Sequence, residues 1–206
     1  ESPKWTRTHN CVLVNGRGQI GEGQTWFDRD AVPETGATSE VIQAEHGAAC
    51  DYIVGDARNI YPVATGLKRY HRHLLYMRPD FFVMVDEFRA DPAATFEWLL
   101  HTDVAIDKQT GHSFVVRNGD VLMDVHFLLP EALEVKVGGK TLSVATGRSS
   151  EALIVAVLHP RKATHPASSA ELRSHRDSRL EIVLGAGKQN ARIEWDLASR
   201  RVSVSS

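Results

Sequence analysis

The shortness of its apolar segments limits the fold of this chain more than any other feature of the sequence. Almost every segment is rich in β-branched or aromatic residues and is bounded by turn residues. No window sustains the 3.6-residue apolar stripe of an amphipathic helix over three turns. The candidate strands are 11–15, 39–46, 49–56, 67–77, 81–90, 95–102, 112–117, 120–129, 132–137, 151–158, 179–184, 190–197 and 200–205. These strands predict an all-β fold, a large antiparallel two-sheet β-sandwich.

The reversals between the strands support this interpretation. The clearest hairpin joins 67–77 to 81–90 through Arg78-Pro79-Asp80, because proline cannot extend a central strand. Further turns are predicted at 118–120 and 138–140. Two segments are expected to be long surface loops, namely 159–178, which is rich in proline and serine, and 24–37. Nothing requires a second domain, so residues 1–206 are interpreted as one domain.

Composition excludes several classes of protein. The chain has 206 residues, of which 42% are hydrophobic and 24% charged, as in ordinary globular domains. Its net charge of −2 gives no field that attracts nucleic acid or an anionic membrane. No apolar run reaches the roughly 20 residues of a membrane-spanning helix. Cys11 and Cys50 both lie in apolar strand-like runs, which favours two free thiols over a disulfide.

The pair His71 and His73 forms an H-x-H pattern on a predicted strand. Strand alternation places both imidazoles on one face, with Cα atoms about 7 Å apart. Two such imidazoles can share one metal ion, but a third ligand is needed and none is adjacent in sequence. The alternative is a basic face that meets an anion or only solvent, because the same segment contains Lys68, Arg69, Arg72 and Arg78.

Two further polar residues interrupt or end apolar strands. His101 ends the strand 95–102, where it either forms a structural hydrogen bond or serves a site at the strand end. Asp86 lies within the apolar run 83–88, and an unpaired buried carboxylate is costly. We expect Arg69 or Arg72 on the facing hairpin strand to pair with it.

No catalytic residue can be identified from motifs. The sequence has no G-x-S-x-G, no P-loop, and no dinucleotide-binding glycine motif that opens a helix. Gly16-Arg17-Gly18 follows a strand, but no helical pattern follows it. The acidic residues are scattered and define no carboxylate pair of the glycosidase kind.

The stretch Thr8–Gln19, with the sequence THNCVLVNGRGQ, resembles the HNT-V-V-DG-Q stretch of the heparinase II/III-like polysaccharide lyases. Cys11 replaces a common Thr and Asn15 a common Asp. The continuation is similar in order and spacing over roughly residues 5–105, through Asp51–Ala57 with Tyr61, His71–Tyr76, Phe82–Phe88 and Trp98–Thr102.

This resemblance implies the C-terminal β-sandwich portion of such a lyase. Whole enzymes of the family add an N-terminal (α/α) toroid, so the missing partner would be that domain or a companion chain. They cleave uronic-acid polysaccharides such as heparin, heparan sulfate or alginate by β-elimination. The resemblance therefore implies an acidic polysaccharide as partner, a periplasmic or secreted location, and no activity for this portion alone.

The resemblance also implies a zinc site in the sandwich. The family holds zinc through an H-x-H histidine, an Asp and the histidine of the HNT stretch, and only the last maps here, to His9. The other ligands would precede Glu1, so the zinc site is expected to be incomplete, and His71 and His73 are not the family's H-x-H. The residues expected to bind substrate are Arg69, His71, Arg72, His73 and His101.

Two other functions stay open. The chain could be a non-catalytic carbohydrate-binding or adhesion module for acidic glycans, because Tyr70, Tyr76 and Trp98 accompany the basic strand. It could also be a structural module that covers the surface of a partner.

Overall fold

The computed structural model describes residues 4–22 and 37–205, which form sixteen strands. Helix occurs in these ranges only as short 3-10 turns at Thr6–Thr8, Arg58–Ile60 and Val63–Thr65. The first eight strands are β1 (Val12–Val14), β2 (Glu40–His46), β3 (Cys50–Asp56), β4 (Leu67–Met77), β5 (Phe81–Ala94), β6 (Phe96–His101), β7 (Ile106–Lys108) and β8 (Ser113–Asn118). The others are β9 (Val121–Leu129), β10 (Leu133–Gly138), β11 (Thr141–Thr146), β12 (Ser149–Lys162), β13 (Ser168–Arg176), β14 (Arg179–Ala186), β15 (Gln189–Asp196) and β16 (Arg201–Ser205).

The strands form three antiparallel sheets. The central sheet has eight strands in the order β2-β3-β4-β5-β12-β9-β8-β7. The first outer sheet has the order β1-β6-β11-β10, and the second outer sheet has the order β13-β14-β15-β16. Within the described residues all paired strands run antiparallel. Paired strands are therefore joined by hairpins or by longer crossovers.

The central sheet is covered on both faces, and alternate residues of its strands enter two different cores. In β12, Ile154 and Ala156 pack in the first core, which also contains Trp98 of the first outer sheet. Val155 and Val157 belong to the second core, with side chains of the second outer sheet. Strands buried on both faces have little polar alternation, as β12 shows. The predicted all-β sandwich is confirmed, and the structure adds a third sheet to the two that were expected.

The predicted reversals are confirmed at the turns. β4 and β5 form the expected hairpin, and the Tyr76 hydroxyl donates to the carbonyl oxygen of Pro79 at 2.9 Å. Gly119 joins β8 to β9 and Gly139 joins β10 to β11, with φ of 63° and 62° respectively. These left-handed conformations favour glycine because it has no Cβ atom to clash with the backbone.

The expected long loop at 159–178 is wrong, because most of this segment is strand. β12 continues to Lys162, and its last residues pair only with β9, since pairing with β5 ends at Leu158. Pro160 therefore lies where a missing amide hydrogen is tolerated. β13 is the edge of an outer sheet with one exposed face, which explains its polar sequence. The other expected loop, 24–37, lies almost entirely outside the described residues.

Two further expectations concern the cysteines and membranes. Cys11 and Cys50 are free thiols, as predicted, and both are half-buried. Across the ranges 4–22 and 37–205, no helix has the length and apolar character needed to cross a bilayer.

Candidate functional site

The β4–β5 hairpin carries polar side chains on both faces of the central sheet. Its register places Arg72 opposite Asp86 and His71 opposite Glu87. Neighbouring residues of a strand point to opposite faces. Arg72 and Asp86 therefore lie on the side of the first core, whereas His71 and Glu87 lie on the side of the second core.

Arg72 and Asp86 form a closed ion pair. The Arg72 Nε donates to Asp86 Oδ1 at 2.7 Å, and Nη2 donates to Oδ2 at 2.8 Å. Only 1% of the Asp86 side chain is exposed. Burial lowers the pKa of Arg72, but the Asp86 carboxylate outweighs this effect and raises it above the ordinary value. The prediction that Asp86 pairs across the hairpin is confirmed, with Arg72 as the partner.

Asn10 connects this ion pair to the end of β6. The Arg72 Nη1 donates to the Asn10 carbonyl oxygen at 3.5 Å, and the Asn10 Oδ1 accepts from the backbone N–H of His101 at 2.6 Å. The His101 Nδ1 lies 3.2 Å from the Thr141 hydroxyl, and its buried Nε2 has no hydrogen-bond partner. Arg72 and His101, both predicted to bind substrate, therefore belong to one network on the side of the first core.

The opposite face holds what we call the histidine cluster, defined as His71, His73 and Glu87. Glu87 Oε2 lies 3.6 Å from His71 Nδ1 and 3.9 Å from His73 Nε2. Arg69 forms an ion pair with the other carboxylate oxygen, Oε1, and His71 Nε2 lies 3.8 Å from Asp56 Oδ2. Burial raises the pKa of Glu87, but the two imidazoles and Arg69 outweigh it and hold the pKa well below its usual range.

His73 is wholly buried and is held by aromatic residues. Its Nδ1 lies 2.7 Å from the Tyr52 hydroxyl, and the Trp195 Nε1 of the second outer sheet donates to the same hydroxyl at 3.3 Å. Burial is the main cause that raises the pKa of Tyr52 to about 12, so the phenol is neutral at pH 7. The His73 Nε2 is buried without a hydrogen-bond partner, which costs about 1–3 kcal/mol.

The expected basic face is largely neutralised by acidic partners. Each arginine of the β4 segment forms an ion pair with a carboxylate, in the pairs Arg69–Glu87, Arg72–Asp86 and Arg78–Asp51. Arg69 keeps the most exposed side chain of the three, at 45%. An anion that binds here therefore competes with a carboxylate that is already in place.

His9 is exposed beside a cavity of about 400 Å³ that Cys11, Gln19 and Glu22 also line. In the described part of the chain, the one group of three His, Cys, Asp or Glu side chains close enough to hold a metal ion is the histidine cluster. The side chains around His9 therefore do not form a zinc site by themselves. The assignment of His9 as a zinc ligand stays a prediction.

The five residues expected to bind substrate thus divide between the two faces. Arg69, His71 and His73 lie with the second core, and Arg72 and His101 with the first. Sequence reasoning missed Glu87, although hairpin register places it directly opposite His71. It also missed Tyr52 and Trp195, and no sequence signal connects two residues that lie 143 positions apart.

A family model described as "Heparinase II/III-like, C-terminal" matches residues 4–196 of this chain. The match covers nearly the whole sequence and all three sheets except β16. A search of curated proteins gave no significant match.

Solved structures of lyases are similar to this chain. A heparinase III with methylated lysines matches 94% of this chain at 14% identity and a TM-score of 0.68, over 30% of its own length. Another heparinase III matches 93% at 14% identity and a TM-score of 0.66, also over 30% of its length. The heparan sulfate lyase HepC from Pedobacter heparinus matches 93% at 12% identity and a TM-score of 0.69, over 31% of its length. At these identities the likeness shows the fold alone.

Proposed function

Because this chain belongs to the heparinase II/III-like C-terminal family, we propose that it forms the β-sandwich part of a polysaccharide lyase. Such a lyase would cleave a uronic-acid-containing polymer, of the heparin, heparan sulfate or alginate kind, by β-elimination. The observation that carries this proposal is the family match over residues 4–196. The chain spans about 30% of the length of the lyases whose structures it resembles. The proposal therefore includes an N-terminal toroid, supplied by the same polypeptide or by a companion chain.

β-Elimination at a uronic acid makes three demands on a protein. The C5 carboxylate must be neutralised, a base must remove the C5 proton, and an acid must protonate the departing O4. We assign the first of these tasks, and the orientation of the polymer, to cationic side chains of the β4 strand and its neighbours. We assign proton transfer to residues that lie mostly outside this chain, because the chain spans only about 30% of the length of the heparinases it resembles.

Arg69 is the side chain best placed for contact with a polymer. It is the more exposed of the two arginines among the predicted substrate-binding residues, and it lines a cavity of about 620 Å³. His71 lies beside it, whereas Arg72 and His101 lie on the opposite face of the sheet, where the network around Asn10 connects them. His73 is wholly buried, so we propose that it acts by positioning its neighbours.

We also propose His9 as a zinc ligand whose remaining donors lie outside the described residues. Its support is the resemblance of Thr8–Gln19 to the family stretch, and its exposed position beside a cavity leaves room for donors from another element. In the complete enzyme, His9→Ala should lower the zinc content measured by mass spectrometry. His165→Ala, which changes another exposed histidine, is the matched control. Equal zinc content in both variants would remove the assignment.

An activity assay tests whether cleavage requires residues outside this chain. The purified 206-residue chain is incubated with heparan sulfate and with alginate, and the unsaturated product is followed by its ultraviolet absorbance. We expect no turnover from this chain alone and turnover from the complete enzyme. Rapid product formation by the chain alone would mean that proton-transferring residues lie within it, and no turnover by the complete enzyme on any uronate polymer would contradict the lyase proposal.

A second candidate function, a non-catalytic module that binds acidic glycans, is favoured by the same cavity. Arg69, Arg89 and Arg148 all line it, so a sulfated or carboxylated sugar would meet several guanidinium groups. Binding of heparin oligosaccharides that weakens steeply with salt, without any cleavage by the complete enzyme, would favour this function. Arg148→Ala would then weaken binding.

The proposed location is the periplasm or the cell exterior. A long acidic polymer does not cross a lipid bilayer, so an enzyme that acts on it has to reach the outside of that barrier. Fractionation of the producing cells, followed by detection of the chain, would test this location.

A further inference from the structure

We propose that the histidine cluster, His71, His73 and Glu87, is a zinc-binding site. This site is separate from the zinc assigned to His9, and it does not depend on the lyase proposal. It is built entirely from side chains of this chain, on two adjacent strands of the central sheet. The ligand atoms of the three residues all lie within 4.8 Å of one another.

Zinc binding requires the donor atoms to contract from separations of at most 4.8 Å. Zinc bonds to nitrogen and oxygen are about 2.0–2.2 Å long, so donor atoms of a tetrahedral site lie roughly 3.3 Å apart. Glu87 Oε2 is already 3.6 Å from His71 Nδ1 and 3.9 Å from His73 Nε2. The backbone pairing of β4 with β5 fixes His71 opposite Glu87, so the remaining contraction falls to side-chain rotation.

The buried nitrogen of His73 is the second observation that points to a ligand. None of its side chain is exposed, and its Nε2 lacks a hydrogen-bond partner while it faces Glu87. Buried polar atoms are nearly always satisfied, so an unsatisfied one calls for an explanation. A zinc ion bound between His73 Nε2 and Glu87 Oε2 supplies it.

The residues around the cluster hold its members in a form that suits a metal. The Tyr52 oxygen can accept from both Trp195 Nε1 and His73 Nδ1, and in that tautomer His73 Nε2 presents a lone pair. Asp56 lies 3.8 Å from His71 Nε2, the ring nitrogen that would not bind the ion. Carboxylates and other acceptors commonly orient metal-binding imidazoles in this way.

The donor set selects the kind of ion. Two imidazoles and one carboxylate suit Zn²⁺, whereas Ca²⁺ and Mg²⁺ prefer oxygen ligands. Arg69 occupies Glu87 Oε1 and leaves Oε2 for the ion. Three protein ligands leave a fourth position open, and Arg69 and Glu87 also line the cavity of about 620 Å³, so water can reach that position.

The test is a zinc titration of the 206-residue chain, read out by competition with a chromogenic chelator, with Co²⁺ as a spectroscopic substitute. We expect one zinc ion per chain at this site, and a visible Co²⁺ spectrum typical of a low-coordinate nitrogen and oxygen site. His71→Ala and Glu87→Gln should each abolish stoichiometric binding. Tyr52→Phe should weaken it roughly tenfold, because it removes an orienting group and not a ligand.

His165→Ala is the matched control and should bind zinc like the unchanged chain. Circular dichroism of every variant shows whether it folds, and Glu87→Gln keeps the shape of the side chain, so loss of binding in a folded Glu87→Gln chain supports the site. Absence of zinc binding by the unchanged chain would overturn the proposal. So would binding that survives His71→Ala and Glu87→Gln but is lost in His9→Ala.

Discussion

Two adjacent cross-strand pairs of one hairpin illustrate different uses of buried charge. On the side of the first core, Arg72 and Asp86 satisfy each other through two short hydrogen bonds. On the side of the second core, one position along, Glu87 faces His71 and His73 at 3.6–3.9 Å, and the His73 Nε2 is unsatisfied. Both pairs belong to the same antiparallel ladder, and they differ in how their side chains are satisfied.

This difference separates a structural role from a functional one. Removal of one partner of a closed ion pair strongly lowers the free energy of unfolding, because it leaves a buried charge without its counter-charge. An open cluster stabilises the metal-free fold little, because one of its polar atoms is buried without a partner. Removal of Asp86 should therefore lower the free energy of unfolding by much more than removal of the His73 imidazole.

The largest effect is expected from Asp86→Ala. It leaves the Arg72 guanidinium without its carboxylate and should lower the free energy of unfolding by about 3 kcal/mol, measured by urea denaturation. The double variant Arg72→Met with Asp86→Leu removes both charges and should recover most of this loss. If Asp86→Ala unfolds at the same urea concentration as the unchanged chain, the closed pair is not structural and the comparison fails.

Asp124 offers a second closed pair for the same test, with a pH dependence. It accepts from Arg161 Nε at 2.8 Å and from the Ser168 backbone N–H at 2.8 Å. Burial raises the pKa of Asp124, but Arg161 and Ser168 outweigh it and lower the pKa below its ordinary value of about 3.9. The carboxylate therefore stabilises the fold at neutral pH, and this contribution is lost as the pH falls below about 4 through the folded-state pKa.

Asp124→Asn should consequently lower the free energy of unfolding by about 2 kcal/mol at pH 7 and by less at pH 3, because the unchanged chain has then lost part of the same contribution. Thermal unfolding followed by circular dichroism at a series of pH values measures both. His126 and His159 face the same carboxylate, so His159→Gln serves as a control for their titration. Equal destabilisation at the two pH values would contradict the assigned role of Asp124.

The open cluster predicts a much smaller effect. His73→Leu removes the unsatisfied Nε2 and also the 2.7 Å hydrogen bond to Tyr52, while the Trp195 hydrogen bond to Tyr52 is kept. These two effects oppose each other, so the free energy of unfolding of the metal-free chain should change by less than about 1 kcal/mol in urea denaturation. Leu75→Ala opens a cavity in the same core and should lower the free energy of unfolding by about 3 kcal/mol. This loss gives the scale on which the effect of His73→Leu is judged. A large loss in His73→Leu without metal would mean that His73 is a structural residue.

The smallest effect is expected at the exposed end of the cluster. Arg69→Ala removes an ion pair to Glu87 whose arginine side chain is 45% exposed, so the free energy of unfolding should change by less than about 0.5 kcal/mol. The same substitution should weaken binding of heparin oligosaccharides if Arg69 contacts the polymer. Arg179→Ala is the control for stability and for non-specific charge, because Arg179 is also exposed and forms an ion pair with Asp196.

Much of the fold was predictable because each strand carries its own signal. The β4–β5 hairpin followed from Pro79 and the apolar runs beside it, and the Arg72–Asp86 pair followed from the cost of burying Asp86. β13 was missed because an edge strand of an outer sheet needs little apolar sequence. The third sheet was missed because apolar alternation on one strand does not show how many layers cover it.

The site was predictable only in part, for a geometric reason. His71 and His73 share a face because of strand alternation, which sequence shows directly. Glu87 required the hairpin register, which the turn at Arg78-Pro79-Asp80 suggested but did not fix. Trp195 required the packing of the second outer sheet on β3, a contact between distant parts of the chain that local pattern does not encode.

The double coverage of the central sheet makes the length of β4 critical. Deletion of one residue before His71 would shift every following side chain of this strand to the opposite face. Arg72 would then take the place of His71 opposite Glu87, His73 would take the place of Arg72 opposite Asp86, and Leu75 would leave its core. A single-codon deletion there would disrupt both interiors at once, whereas a deletion in an outer edge strand such as β13 would disturb only one.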